Sequence, residues 1–173
     1  MEIRRIDGGR PPDAVAVRRA VFVDEQGVPE RLELDGRDDE ATHFVAYDGG
    51  RPVGVARLRA YDRVGGSDGG SESEEGQSGP VPEGTAPARG GVAEPTATAK
   101  VERVAVLAER RNEGIGRELM DAVERAAEAS GYDRLLLHAQ VPVVPFYERL
   151  GYDAFGDTFA EADIPHRRMR KEL

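Results

Sequence analysis

The stretch Val104-Ala105-Val106-Leu107-Ala108-Glu109-Arg110-Arg111-Asn112-Glu113-Gly114-Ile115-Gly116-Arg117 carries the clearest chemical signal in the chain. An apolar run ends in arginines, and two closely spaced glycines open a long amphipathic segment, an order that sets a tight turn between a strand and a helix. The first N–H groups of a helix lack internal partners and the helix dipole adds positive potential, so a pyrophosphate can be held there by amides alone. Gly114 and Gly116 let the backbone approach such a group, and Arg110, Arg111 and Arg117 add local positive charge to a chain of net charge -9. Taken alone, the two glycines are better explained by a sharp strand-to-helix turn than by a binding loop. Two other phosphate-binding readings fail. No Gly-x-x-x-x-Gly-Lys-Ser/Thr string is present, and Leu119 stands where a dinucleotide-binding turn needs its third glycine.

The remaining reactive side chains narrow the chemistry by elimination. The chain has no cysteine, which removes disulfides, thiolate metal sites and a cysteine-borne acyl intermediate. Four of its five serines lie in 62–99, where Gly65-Gly66-Ser67-Asp68-Gly69 matches the Gly-x-Ser-x-Gly elbow without the strand and helix that elbow needs. The fifth, Ser130, precedes Gly131 as a helix end. His43, His138 and His166 have no metal-ligand spacing, so no metal is expected. Glu33, Asp35, Asp38, Asp39 and Glu40 form an acidic cluster that either attracts a cationic amine or is a solvated face.

The elements that must position these groups follow from periodicity. A strand is predicted at 2–6 and a helix at 13–25, with Ala14, Val17, Val21 and Phe22 at helical spacing. A hairpin is predicted from strands 43–48 and 52–60 around Gly49-Gly50. In the strand at 100–107, Val101, Arg103 and Ala105 are expected on one face and Glu102, Val104 and Val106 on the other. A helix at 114–129, a buried strand at 134–139, a short helix at 143–150 and one or two further strands complete the chain. The order gives an α/β mixed sheet with helices on both faces. Residues 62–99, rich in Gly, Ser, Glu and Pro, read as a disordered insertion in a single domain spanning 1–173.

The acidic charge repels nucleic acid and anionic lipid. The N-terminus has no apolar signal core and no run is long enough to cross a bilayer, so no membrane association and a cytoplasmic location are expected. Of 24 basic residues only Lys100 and Lys171 are lysines. That composition suits a protein kept soluble in high salt, as in a halophilic archaeon, and equally an acidic protein from a GC-rich genome.

Arg111-Asn112-Glu113-Gly114-Ile115-Gly116 resembles the Arg/Gln-x-x-Gly-x-Gly/Ala hallmark of the GNAT acetyltransferase superfamily. Phe146-Tyr147-Glu148-Arg149-Leu150-Gly151-Tyr152 is similar to the same family's Phe-Tyr-x-x-x-Gly-Phe/Tyr block, in the right order and at the right separation. Arg19-Ala20-Val21-Phe22-Val23-Asp24-Glu25-Gln26, Glu33-Leu34-Asp35, His43, His138-Ala139-Gln140 and Ile164-Pro165-His166 look like the ElaA-type branch. The resemblance implies the acyl-CoA N-acyltransferase fold, with a sheet splayed open beside the strand at 100–107. It implies acetyl-coenzyme A as acyl donor, held by Arg111, Asn112, Glu113, Gly114, Ile115, Gly116 and Arg117, with its pantetheine arm against the backbone of Val104, Ala105 and Val106. It implies Tyr147 as the acid that protonates the leaving thiolate, and Phe22, Glu25, Glu33 and His43 as contacts for the acceptor, with Glu25, Glu33 and His43 either gripping the amine or deprotonating it. Glu102, placed with Val104 and Val106, is the expected base, although a strand glutamate is as readily a solvent-facing or ion-paired residue. The acceptor is expected to be a small amine or a protein amino group, and a homodimer follows by resemblance. Direct attack on the thioester is the economical mechanism. A silent acetyl-coenzyme A sensor and an enzyme for another acyl-coenzyme A are the rival readings.

Overall fold

The computed structural model describes residues 1–61 and 97–173. The elbow-like match at 65–69 and the expected insertion up to residue 96 lie outside the described residues. Among those described, seven strands form one mixed sheet: β1 (Glu2–Asp7), β2 (Thr42–Asp48), β3 (Arg51–Ala60), β4 (Thr98–Val106), β5 (Arg134–Gln140), β6 (Asp153–Glu161) and β7 (Ile164–Glu172). Their spatial order is β1-β2-β3-β4-β5-β7-β6. β4 and β5 run parallel, and the other neighbours are antiparallel. The helices are α1 (Pro12–Arg18), α2 (Glu30–Glu33), α3 (Ile115–Ala129) and α4 (Val144–Glu148).

Both faces of the central strands are covered, which is why β2 and β3 read as nearly continuous apolar runs. Phe44, Ala46, Ala56 and Leu58 pack on the face that carries α3, while Val45, Tyr47 and Val55 meet Ala14 and Val17 of α1 on the other. The β2–β3 hairpin closes through Gly49 and Gly50, both at positive φ, as a two-residue turn with right-handed strand twist requires. Gly54 on β3 allows α3 to come close: a Cβ at that position would stand 3.0 Å from Leu119 and 3.1 Å from Ile115. The helix expected over 13–25 is α-helical only to Arg18 and continues as a π-helical turn, Arg19–Glu25. β4 starts at Thr98, so Thr98 and Ala99 belong to the sheet and not to the preceding segment. Pairing of β4 with β5 ends at Val101 and Leu137, beyond which each strand stays with its outer neighbour and the sheet forks.

β4 does not place Glu102 on the face of Val104 and Val106, as alternation predicts. Two residues of β4, Arg103 and Val104, lie opposite Ala56 of β3, because Arg57 pairs with Glu102 and Val55 with Ala105. Arg103 takes a positive φ of 55°, a bulge that reverses the alternation. Val101 therefore packs with the α3 face and Ala105 with the α1 face. Glu102 lies opposite in facing to Val104 and Val106, which pack against the α3-side core.

Candidate active site

A cleft of about 850 Å³ occupies the fork and runs to the start of α3. Gly114 sits at the N-cap of α3 with φ 84°, and Asn112 two residues earlier has φ 66°, so two left-handed residues on either side of Glu113 lead the chain into the helix. The helical ladder of α3 opens with Glu118 N–H donating to the Gly114 carbonyl at 3.1 Å, leaving the N–H groups of Ile115, Gly116 and Arg117 without helical acceptors. Gly116 faces Phe146, whose ring would lie 3.4 Å from an added Cβ, so glycine keeps the first helical turn clear of that ring.

The three cradle arginines differ in their commitments. Arg110 is paired with Asp48 at 2.9 Å and with Glu113. Arg111 donates from Nε to the Val106 carbonyl at 3.1 Å and from both terminal nitrogens to Glu25. Arg117 is exposed, lines the cleft and pairs with no described residue.

The β4 arm of the fork presents backbone groups. Leu107 N–H donates to Val53 at 3.0 Å and Ala105 pairs with Val55, so the polar backbone groups of Ala105 point at β3. By strand alternation, those of Val104 and Val106 point into the fork. Of the three residues expected to meet the pantetheine arm, Val104 and Val106 have the backbone direction for it and Ala105 does not. Tyr147, on α4, lines the cleft and is buried, with its ring edge-on to Phe146 at 5.0 Å and to Tyr152 at 5.9 Å. Burial pushes its phenol up from the ordinary value, so it is protonated throughout the neutral range.

Glu102 is not suited to the role of base. Its carboxylate receives Arg57 at 2.7 Å and Arg59 at 3.0 Å, with Lys100 at 3.7 Å. Burial raises its pKa, but Arg59, Arg57 and Lys100 outweigh that and hold it at about 2. A carboxylate so stabilised is a weak proton acceptor at neutral pH.

The expected acceptor contacts separate in the same way. Phe22 lines the cleft, and Glu25 stands outside it on Arg111. Glu33 borders the cleft, yet it is 3 % exposed and bound by Arg18 and by Arg103, the latter at 2.6 Å. His43 is fully buried, with Nε2 3.1 Å from the Asp38 carbonyl, and does not reach the cleft. The acidic stretch that looked like a lure for amines is thus largely internal. Arg18 and Arg57, both fully buried, collect Glu33, Asp35 and Asp38. For Asp35, burial raises the carboxyl pKa, but the Arg57 guanidinium overrides it and holds the group far below the usual range. Sequence spacing pointed at those acids but not at their arginines, which are 15 to 22 positions away. The opposite wall of the cleft brings together His138 on β5, Glu161 on β6 and His166 on β7. Glu161 carried no signal in the sequence, since only the β6–β7 pairing brings it there.

Comparison with known proteins agrees with this geometry. Residues 84–173 match the acetyltransferase (GNAT) domain family. The chain is 35% identical over 161 residues to YjcF of Bacillus subtilis strain 168, described as an uncharacterized N-acetyltransferase, covering 92% of this chain and 91% of that one. The crystal structure of Escherichia coli ElaA superposes with a TM-score of 0.70 at 22% identity, covering 99% of each chain. A GNAT family acetyltransferase from Elizabethkingia anophelis, solved with acetyl-CoA bound, superposes with a TM-score of 0.62 at 14% identity, over 99% of this chain and 97% of that one.

Proposed function

The chain belongs to the GNAT acetyltransferase family, and we propose that it moves the acetyl group of acetyl-coenzyme A onto a primary amine by direct attack within a ternary complex, as a member of the ElaA-like branch. The observation that carries this reading is the fork itself. It holds outward-facing backbone of Val104 and Val106, unpaired N–H groups at the start of α3, and a buried phenol, Tyr147, along one cleft.

In this mechanism the α3 amides and Arg117 take the pyrophosphate. A backbone N–H of Val104 or Val106 polarises the thioester carbonyl and stabilises the oxyanion that forms. The amine nitrogen bonds to the carbonyl carbon, the carbon–sulfur bond breaks, and the Tyr147 O–H protonates the departing thiolate. The acceptor is a small amine or a protein amino group.

Titration calorimetry with acetyl-coenzyme A, run beside thiol release with kanamycin, spermidine, glucosamine and a lysine-containing peptide, tests the proposal. Binding together with amine-dependent thiol release is expected. Binding with no release above background for any amine favours an acetyl-coenzyme A sensor, and absence of binding removes the reading altogether.

A further inference from the structure

With Glu102 held by Arg57 and Arg59, the acid–base pair lacks its base. We infer that His138, held by Glu161, is the group that takes the proton from the acceptor amine. The inference rests on the acyl-transfer reading above.

Three observations support it. His138 is the first residue of β5 beyond its last pair with β4, so it stands at the root of the fork, on the arm facing the backbone of Val104 and Val106. Its Nδ1 lies 3.0 Å from Oε2 of Glu161, which fixes the proton on Nδ1 and leaves Nε2 with its lone pair. No described residue takes that Nε2 in a hydrogen bond. The ring is further held edge-on against Phe159, at 4.9 Å, with Arg168 stacked on Phe159 at 4.6 Å. A carboxylate that orients an imidazole and stabilises its charged form is the arrangement by which a histidine serves as a base.

The neighbouring candidates are less suited. Among carboxylates bordering the cleft, Glu33 and Glu102 are bound by arginines, whereas the Glu161 side chain is half exposed and pairs with His138. His166 has Nδ1 2.7 Å from the Ile164 carbonyl, so it too presents Nε2, but a carbonyl gives an imidazolium less stabilisation than a carboxylate. The charged or titratable groups around His138 are Glu161 from β6, His166 and Arg168 from β7, and Lys100 from β4, which acts on the Glu161 carboxyl. Glu161 therefore serves as a positioning residue and supplies the negative charge beside a ring that also neighbours the cations Arg168 and Lys100.

The amine nitrogen loses one proton to Nε2 of His138 as the carbon–nitrogen bond forms. The thiolate released by carbon–sulfur cleavage gains one from Tyr147. His138 then returns its proton to solvent and Tyr147 is reprotonated from solvent, giving amide and free thiol.

The test uses the full chain and the amine from the panel above that gives the fastest thiol release. His138→Gln is expected to keep acetyl-coenzyme A affinity within about twofold, lower kcat at least ~100-fold and remove the acid limb of kcat against pH. Glu161→Gln should lower kcat ~10-fold or more with acetyl-coenzyme A affinity kept within about twofold, because the imidazole loses the carboxylate that orients it. His166→Gln should leave the limb in place. Long-range proton–nitrogen correlation spectra of the imidazoles should show His138 as the Nδ1–H tautomer, a preference that should weaken in Glu161→Gln. A limb that persists in His138→Gln, or that disappears in His166→Gln, overturns the inference, as does an Nε2–H tautomer for His138. If the wild type releases no thiol with any amine, the acyl-transfer reading fails instead, and the tautomer and its response to Glu161→Gln decide the pairing independently.

Discussion

Arg111 and Glu25, 86 positions apart in sequence, meet beside the cradle with both terminal guanidinium nitrogens on the two carboxylate oxygens, at 2.7 and 2.6 Å. The arginine that the motif assigns to the phosphates therefore carries an internal anion, delivered by the π-helical turn after α1. A diphosphate arriving at the cradle competes with that carboxylate. Glu25→Gln should tighten acetyl-coenzyme A binding, by up to ~5-fold since exposed pairs contribute about 1 kcal/mol or less. Arg111→Ala should weaken it by at least ~10-fold, because it also removes the bond to the Val106 carbonyl beside the fork. Calorimetry at low salt reads both changes. Weaker binding in Glu25→Gln would mean that the carboxylate serves to position Arg111 and not to oppose the ligand.

Tyr147 is buried, and burial raises its phenol pKa. A phenol that keeps its proton at neutral pH can act as an acid but not as a base. Tyr147→Phe retains the ring contacts with Phe146 and Tyr152, so acetyl-coenzyme A affinity should change by less than about twofold while kcat falls ~100-fold or more. The wild-type kcat profile should show no alkaline loss from this group up to the pH at which free tyrosine ionises. Stopped-flow thiol release under saturating donor checks both points. An unchanged kcat would return Tyr147 to a packing role.

Much of this arrangement is legible in the chain because its signals are local. The Gly49-Gly50 turn, the amphipathic stripe of α3 and the Gly114-Ile115-Gly116 opening each depend on residues within a few positions of one another. The bulge at Arg103 is different. The strand Thr98–Val106 contains no glycine or proline to mark an extra residue, so simple alternation groups Glu102 with Val104. What accompanies the bulge is long-range: the Arg103 side chain reaches the Leu32 carbonyl at 3.0 Å, Glu33 at 2.6 Å and Asp35 at 3.2 Å. The same holds for the buried acids, whose spacing looks like a solvated face until Arg18 and Arg57 are folded against them.

Glu102 belongs to that interior, so its replacement should affect stability more than chemistry. Its folded pKa of about 2 lies below the ordinary 4.5, which means its stabilising contribution is complete above about pH 5 and is lost as pH falls through 4.5 toward 2. The difference corresponds to roughly 3 kcal/mol near neutral pH. Glu102→Gln should lower Tm by about 6–12 °C at pH 7, and the gap from wild type should shrink as the pH drops. The acid limb of kcat should be unchanged. Thermal unfolding across pH 3 to 7 provides the check, and a gap that stays constant with pH would contradict the assigned electrostatics.

The chain carries 33 acidic against 24 basic residues, a net charge of -9. Some of the basic residues are committed to buried partners, as Arg18 and Arg57 are, so they neutralise interior carboxylates and leave the surface with its acidic excess. Salt screens the mutual repulsion of that surface, but it also weakens exposed pairs such as Arg4 with Glu2 and Arg51 with Glu109. Exposed pairs contribute little, whereas repulsion acts over the whole surface, so the balance favours the folded state as salt rises. Tm should climb by several degrees between dilute buffer and molar KCl, with most of the gain arriving below about 0.5 M, where the screening length is already only a few ångströms. A continued rise beyond that range would point to ion or hydration effects of the kind expected for a high-salt protein. A flat or falling Tm would show that the exposed ion pairs outweigh the repulsion, and would remove the argument from composition to a saline habitat.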